Sequence, residues 1–206
     1  MASETRLTTT TEVARLDFDK MGGLVPQVAQ DARTGEVLML GYANLEAAQQ
    51  SLTSGELWFF SRQRGRLWKK GETSGNVLKL VALYTDCDSD ALVALVIPNG
   101  PTCHTGNWSC FDARPALAQL AKVIADRAAT PAAGSYTSKL LQDPNLRFKK
   151  LGEEAVELVL ACSDGDPQRT ASEAADLIYH ALVACQAAGV SSADVLEALA
   201  ERLPAG

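Results

Sequence analysis

The hydrophobic residues of this chain follow two different periods. In the first half, apolar and polar residues alternate in short runs, which predicts β-strands with one buried face. One helix interrupts these runs: it is predicted over Leu45–Ser54, begins after the N-cap residue Asn44 and ends at Gly55. A loose start with a short amphipathic segment, Val13–Phe18, precedes them. The predicted strands and apolar runs cover residues 24–30, 36–42, 57–60, 77–84 and 91–97.

After Phe111 the chain becomes rich in Ala and Leu, and its apolar residues recur with the period of an α-helix. Proline and glycine separate the helices, which are predicted over residues 116–129, 135–142, 145–163, 167–188 and 191–203. The pattern therefore predicts two domains. An α+β, mostly β domain over residues 1–113 is followed by an all-α helical-bundle domain over residues 114–206.

Composition narrows the class of protein. The 206 residues are 47% hydrophobic and 21% charged, which suits a globular chain that buries one large core or two small ones. The first twelve residues lack the apolar core of a signal peptide, and no run approaches 18 apolar residues, so we expect a cytoplasmic protein without membrane partners. A net charge of −6 gives no general attraction for nucleic acid. An odd number of cysteines, five, argues for thiolate ligands or free thiols rather than disulfides.

Potential metal ligands are concentrated between residues 86 and 110. Thiolates and imidazole suit Zn²⁺, and the candidates are Cys87, Cys103, Cys110 and His104. Carboxylates suit hard cations such as Mg²⁺, and the candidates are Asp86, Asp88 and Asp90. The acids are not an EF-hand, because the glycine at the sixth position and the glutamate at the twelfth are missing. The segment therefore predicts two kinds of metal site side by side.

A basic and glycine-rich segment, residues 61–76, is the second candidate site. Its arginines and lysines can neutralise phosphate, and its glycines let the backbone approach a ligand closely. A solvated basic loop is an equally good interpretation of the composition alone. Trp68 also has two interpretations, since it can stack on a base or lie in the core, and the sequence favours the core.

Two acid pairs three residues apart lie in the helical half, Glu154 with Glu157 and Glu173 with Asp176. In each predicted helix the pair borders the apolar stripe, formed by Leu151, Ala155, Leu158 and Cys162 in one and by Ala174, Leu177, Ile178 and Ala181 in the other. Acids at such positions repel one another unless cations neutralise them, which favours Mg²⁺ held between antiparallel helices over a solvated acidic face. His180 follows on the same side, either supporting an acid or filling a structural role.

These residues carry a family resemblance. The first half resembles phosphoribosyl-AMP cyclohydrolase of histidine biosynthesis through the motifs MLGY, FFSR, LWKKGETSGN, DCDSD and PTCHTGNWSCF. The second half resembles phosphoribosyl-ATP pyrophosphohydrolase, an all-α enzyme of the nucleoside triphosphate pyrophosphohydrolase type, through SYTSKLL, KKLGEEAVE and SEAADLIYH. The order of the two halves is that of the bifunctional histidine-pathway enzyme.

The resemblance implies two hydrolytic reactions on small-molecule substrates. The helical domain would split phosphoribosyl-ATP into phosphoribosyl-AMP and pyrophosphate, with Mg²⁺ on the four acids and with Glu154 and Glu157 as catalytic residues. Its expected phosphate contacts are Ser135, Lys139, Lys149 and Lys150. The N-terminal domain would then open the adenine ring of phosphoribosyl-AMP between N1 and C6, using water activated by Zn²⁺ on the three cysteines.

The resemblance also implies roles for other residues of the N-terminal domain. His104 is the candidate general base or acid, or else a fourth zinc ligand, and Asp86, Asp88 and Asp90 would hold Mg²⁺. We expect a homodimer with a shared cyclohydrolase site. The expected substrate contacts are Ser61, Arg62, Trp68, Lys70, Glu72, Thr73, Ser74, Gly75 and Asn76.

Two other functions use the same features. A zinc nucleotide deaminase fused to a nucleotide-pool-cleaning pyrophosphatase would use the same metals, but its H-x-E and P-C-x-x-C signatures are absent from the sequence. A non-enzymatic protein with a closed Cys₃His zinc module is the third interpretation, and it leaves the acids of the second half unexplained.

Overall fold

The computed structural model describes residues 5–111, 113 and 115–202. One compact unit ends at Pro115 and a second begins at Ala116. The first contains both sheets and two helices, and the second is helical throughout its described residues. The predicted layout of a mostly β domain followed by an α domain is therefore confirmed.

The N-terminal unit is built on a five-stranded sheet. Its strands lie in the order β1-β6-β7-β2-β3, and β4 pairs with β5 in a separate two-stranded sheet. The helices of this unit are α1 (Thr10–Val13), a 3₁₀ turn (Asp19–Met21) and α2 (Leu45–Ser54). The strands are β1 (Arg6–Leu7), β2 (Val25–Asp31), β3 (Val37–Ala43), β4 (Trp58–Ser61), β5 (Arg66–Lys69), β6 (Leu78–Thr85) and β7 (Leu92–Pro98).

The predicted strand periodicity is confirmed, because successive side chains of β2 alternate between buried and half-buried. The central pairing is parallel: β2 and β7 run side by side from Gln27 opposite Leu92 to Asp31 opposite Val96. Both strands therefore begin at the same end of the sheet. This arrangement brings the segment before β2 close to the turn between β6 and β7.

Two strands were not expected from the pattern. Arg66–Lys69 belongs to the basic, glycine-rich segment, for which the pattern predicts no strand. It pairs with β4, and Trp68 stacks on Phe59 with ring centroids 5.1 Å apart. The other unexpected strand, β1, has only two residues and pairs with the end of β6. The predicted amphipathic segment Val13–Phe18 is confirmed in its burial, since Val13 and Leu16 are buried and Ala14 and Arg15 are exposed, although α1 ends at Val13.

One glycine of this core has a clear steric role. A Cβ at Gly41 would stand 2.4 Å from the ring of Phe59, which is fully buried. Glycine is therefore required for β3 to pack directly on this aromatic ring. The remaining fully buried large apolar side chains of the unit include Leu38, Leu57, Leu78, Leu83 and Leu92.

The C-terminal unit contains five helices, close to the predicted bounds. They are α3 (Ala116–Ala129), α4 (Tyr136–Gln142), α5 (Pro144–Asp164), α6 (Pro167–Ala187) and α7 (Ser192–Ala200). The N-caps Asp143 and Asp166, each followed by proline, start the two long helices, and Gly165 in the left-handed conformation ends α5. These local signals make α5 and α6 an antiparallel pair.

The predicted buried stripe on these helices is wrong in part. Cys162 is exposed and Ile178 is 49% exposed, whereas Leu151, Ala155 and Leu158 are half-buried. The long helices bury only one side against a small core of Ile124, Leu140 and Val183 with their half-buried neighbours, so apolar residues beyond that side remain in solvent. Among the described helices none alone is long and apolar enough to span a membrane; α6 and α7, bent by 110°, pass that test only as a pair.

Candidate active sites

The acidic turn, Asp86 to Asp90, connects β6 to β7. Asp86 Oδ1 accepts hydrogen bonds from the backbone N–H groups of Asp90 (3.0 Å) and Ala91 (3.1 Å), which folds the turn on itself. Ser89 has a φ of 61°, an uncommon value for a residue other than glycine. As a result, one carboxylate oxygen from each of Asp86, Asp88 and Asp90 lies within 4.8 Å of the others, close enough to hold a metal ion.

A lysine contacts this turn, and the sequence analysis missed it. Lys20 Nζ lies 2.7 Å from Asp88 Oδ2 and 2.8 Å from Asp90 Oδ2, and these two hydrogen bonds raise the pKa of Lys20. The N–H of Asp17 also donates to the carbonyl of Ser89 at 2.8 Å. The segment before β2 is thus fixed to the acidic turn, and no sequence pattern signals this contact because it depends on the parallel pairing of β2 with β7.

Two of the three predicted zinc cysteines lie together. The loop after β7 folds back through backbone hydrogen bonds, from Cys103 N–H to Asn107 and from Cys110 N–H to Leu38. Cys103 and Cys110 interact through their thiols, and the hydroxyl of Thr105 donates to Cys103 Sγ at 3.1 Å. This hydrogen bond lowers the pKa of Cys103. Burial raises the pKa of Cys110 instead. The loop therefore places a thiol that ionises more readily, Cys103, near a second thiol that ionises less readily, and thiolate is the form that binds metal.

The third cysteine lies elsewhere. Cys87 is exposed in the acidic turn before β7, whereas Cys103 and Cys110 follow the end of that strand. A strand of this length spans about 20 Å at roughly 3.3 Å per residue. Within the described part of the chain, the three thiols accordingly do not form a group able to hold one metal ion. A single chain brings together two of the three predicted zinc ligands.

A cavity of about 650 Å³ opens beside the thiol pair. His104 lines it, with Nδ1 3.8 Å from Cys103 Sγ. Burial lowers the pKa of Lys70, which also lines the cavity, although the nearby thiols oppose that shift. The cavity gathers most of the predicted substrate contacts, namely Ser61, Trp68, Lys70, Glu72, Thr73, Ser74 and Asn76.

Two predicted contacts do not line this cavity. Arg62 packs over the ring of Tyr42, with its guanidinium carbon 3.8 Å from the ring centroid. Gly75 is absent from the lining and has a φ of 75°, so it shapes the turn that precedes Asn76. Trp68 packs against the core at Phe59, as the sequence favours, and it also lines the cavity; stacking on a base stays a prediction.

The helical acids form a second possible metal site. One carboxylate oxygen from each of Glu154, Glu157 and Glu173 lies within 4.8 Å of the others, because α5 and α6 are packed antiparallel. Asp176 lies outside this group, three residues further along α6. Glu154 is only 6% exposed, a burial that is rare for an unpaired carboxylate, and it is paired with Lys150 at 3.0 Å. The structure thus brings together three of the four predicted ligands.

The predicted phosphate contacts of this unit fall into two pairs. Ser135 and Lys139 line a cavity of about 560 Å³, and the hydroxyl of Ser135 also caps α4 by accepting from Ser138 N–H. Lys149 and Lys150 are paired with acids instead: Lys149 lies 3.4 Å from Glu153, and Lys150 lies 3.0 Å from both Glu153 and Glu154.

Comparison with known proteins assigns both halves. Residues 39–112 match the family model described as phosphoribosyl-AMP cyclohydrolase, and residues 117–203 match the one described as phosphoribosyl-ATP pyrophosphohydrolase. The chain belongs to this bifunctional family of histidine biosynthesis. The "Histidine biosynthesis bifunctional protein HisIE" of Shewanella oneidensis is 44% identical over 202 residues, covering 96% of each chain. The protein of the same name from Escherichia coli K12 is 46% identical over 192 residues, covering 91% of this chain and 95% of that one.

Two contacts missed by the sequence analysis differ in whether they lie inside a matched family region. Lys20 precedes the matched region of the first family, which begins at residue 39, so its contact with the acidic turn lies outside that match. Arg169 lies inside the second, with Nε 3.7 Å from Glu173 Oε1, and was also missed by the sequence analysis. Its only sequence signal is a position four residues before Glu173 on the same helix face.

Proposed function

We propose that this chain catalyses two consecutive hydrolyses of histidine biosynthesis, one in each domain. Residues 114–206 convert phosphoribosyl-ATP to phosphoribosyl-AMP and pyrophosphate, and residues 1–113 open the adenine ring of phosphoribosyl-AMP. The observation that carries this assignment is that each unit holds its own set of metal-binding side chains, acids in one and a thiol pair beside a cavity in the other. The different donor types suit different metals.

The acids of the helical unit suit Mg²⁺. Three carboxylates within 4.8 Å of one another provide the hard oxygen donors that this ion prefers, and we assign Asp176 as a fourth, nearby acid. Mg²⁺ there would neutralise the charge that develops on the triphosphate. We assign Lys149, which follows the start of α5 and lies near Glu153, to contact the substrate's phosphates, and we assign Ser135 and Lys139 to the same role. Glu154 and Glu157 would orient the attacking water.

The thiols of the N-terminal unit suit Zn²⁺. Cys103 and Cys110 provide two soft donors, and we propose that Cys87 of a second copy provides the third. The chain would then act as a homodimer whose cyclohydrolase site is shared, since one copy alone separates the thiols by the length of β7. Zn²⁺ would supply Lewis acidity for the addition of water at C6 of the purine.

The protein side chains around the thiol pair have separate tasks. We assign His104 to proton transfer, because it borders the cavity next to Cys103 and an imidazole can exchange protons near neutral pH. Trp68 offers a ring face for the purine, and Lys70 offers a cation for phosphate. The acidic turn of the second copy would bring Asp86, Asp88 and Asp90 with a Mg²⁺ ion for the substrate's phosphate groups. The open cavity at the thiols favours this reaction over a closed structural zinc module.

The direct test is to incubate the purified full chain with phosphoribosyl-ATP, Mg²⁺ and Zn²⁺ and to follow two signals. Pyrophosphate release reports on the helical domain, and loss of the intact purine spectrum reports on ring opening. We expect pyrophosphate first and the spectral change after it. Ring opening of added phosphoribosyl-AMP without pyrophosphate release from phosphoribosyl-ATP would contradict the assignment of the helical domain, and the reverse result would contradict that of the N-terminal domain.

A further inference from the structure

His180 occupies an unusual place on α6. It is 4% exposed, and Nδ1 is buried without a hydrogen-bond partner among the described residues. Burial of the ring lowers the pKa of His180. An orphaned buried nitrogen is costly and rare in native proteins, so its retention calls for an explanation other than packing.

The ring is held in one orientation by its neighbours. Tyr179 and Tyr136 both meet it edge to face, with ring centroids 4.9 and 6.0 Å away and interplanar angles of 74° and 83°. Tyr179 is itself anchored, since its hydroxyl is hydrogen-bonded to Thr137 Oγ1 at 2.8 Å. Such packing fixes the direction in which the two ring nitrogens point.

One ring nitrogen of His180 faces Glu154, an acid that could bind a metal ion. His180 Nε2 lies 3.8 Å from Glu154 Oε1, and Lys150 Nζ lies 3.0 Å from the same oxygen. One oxygen of this carboxylate therefore faces two nitrogen groups, one from α5 and one from α6.

We propose that His180, together with Lys150, is a positioning residue that fixes the carboxylate of Glu154 for metal binding beside Glu157 and Glu173. This inference rests on the proposed function of the helical domain and adds to it a residue that would touch neither metal nor substrate. It also changes the role of Lys150, which the sequence analysis took as a phosphate contact. Partners behind metal-binding side chains are typically worth 10- to 100-fold in metal affinity.

The experiment measures Mn²⁺ binding to the full chain by electron paramagnetic resonance. Asp88→Asn and Asp90→Asn are introduced first, so that the acidic turn of the other domain does not contribute. In this background, His180→Phe keeps the ring shape and removes the nitrogens, and we expect its Mn²⁺ dissociation constant to rise about 10- to 100-fold. His180→Gln restores an N–H group near the position of Nε2 and should recover most of that affinity.

The matched control is Ile178→Ala, which shortens a half-exposed side chain two positions before His180 on the same helix. Its Mn²⁺ affinity should stay that of the background protein. Unchanged Mn²⁺ affinity in His180→Phe would overturn the proposal. Equal losses of Mn²⁺ affinity in the Phe and Gln variants, with a lowered melting temperature, would also overturn it, because His180 would then be only a core residue. A background protein that binds Mn²⁺ as expected but releases no pyrophosphate would instead contradict the proposed function.

Discussion

Two of the proposed metal sites, the helical acids and the thiols, contain ligand pairs with the same separation in sequence, but only one of the pairs lies close together in space. Glu157 and Glu173 are 16 positions apart, as are Cys87 and Cys103. The first pair meets because Gly165 ends α5 and Asp166 starts α6, which reverses the chain between them. The second pair is separated because β7 runs straight between its members. What lies between two ligands therefore decides whether one chain can complete a site.

The largest expected effect tests whether the thiol site is divided between chains. Cys87→Ala and Cys103→Ala should each abolish ring opening, because either removes a zinc ligand from every site of a homodimer. Co-expression of the two variants should restore about a quarter of the wild-type rate, since half of the dimers are mixed and each mixed dimer has one intact site. Ring opening is measured as loss of the purine spectrum.

A thiol site shared between chains would be contradicted if the co-expressed variants remain inactive although mixed dimers form. It also fails if Cys87→Ala alone keeps both its zinc and its activity. Pyrophosphate release serves as the internal control in every case, because it should be unaffected by both substitutions.

The second prediction concerns His104, which should belong to the same chain as Cys103 within a site. His104→Ala should slow ring opening by about 10²- to 10⁴-fold, the usual worth of a general acid or base, while zinc content measured by atomic emission stays at the wild-type level. Co-expression with Cys87→Ala should restore activity, whereas co-expression with Cys103→Ala should not. Loss of zinc from the His104 variant would identify a metal ligand instead.

The third prediction tests whether each acid site of the helical unit is formed within one chain. Glu154→Ala should lower pyrophosphate release on the order of a hundredfold or more, because it removes one ligand from the acid group. Co-expression with Glu173→Ala should restore nothing, since both acids of a site come from one chain. The matched control is Glu197→Ala, an exposed acid on α7 that should leave the rate unchanged. Recovery of activity in the mixture would show that this site is shared as well.

The smallest expected effect concerns Lys20, whose ammonium group already contacts two acids of the acidic turn. A metal ion binding there must compete with this cation, so Lys20→Met should bind Mn²⁺ more tightly, by about tenfold, because the competing positive charge is removed. Binding is measured by paramagnetic resonance in a Glu154→Ala background. Lys79→Met, which removes an exposed lysine from β6, is the control. Weaker binding in Lys20→Met would mean that Lys20 supports the site rather than competes for it.

Local signals in the sequence were sufficient for the elements that such signals control. The helix Leu45–Ser54 has the predicted bounds because Asn44 accepts from Ala47 N–H and Gly55 adopts the left-handed conformation. Asp143 and Asp166 likewise cap the N-termini of α5 and α6. By contrast, the charged residues of β5 adopt an extended form because they pair with β4, and no local pattern contains that information.

The same distinction between local signals and tertiary contacts applies to the candidate sites. Residue type was sufficient to predict which side chains could bind metal, and the structure brings three of the four helical acids together. The contact of Lys20 with Asp88 and Asp90 could not be predicted, because it follows from the parallel pairing of β2 and β7. The separation of Cys87 from Cys103 was within reach of the sequence, because the strand predicted over residues 91–97 lies between them and matches β7.

The length of β7 also has a kinetic consequence. If ring opening needs two chains and pyrophosphate release needs one, dilution below the dimer dissociation constant removes the second step while the first continues. Phosphoribosyl-AMP would then be released as the product, and the released fraction would grow as the enzyme concentration falls. The abundance of the chain would thus determine how far along the two-step sequence each molecule of substrate travels.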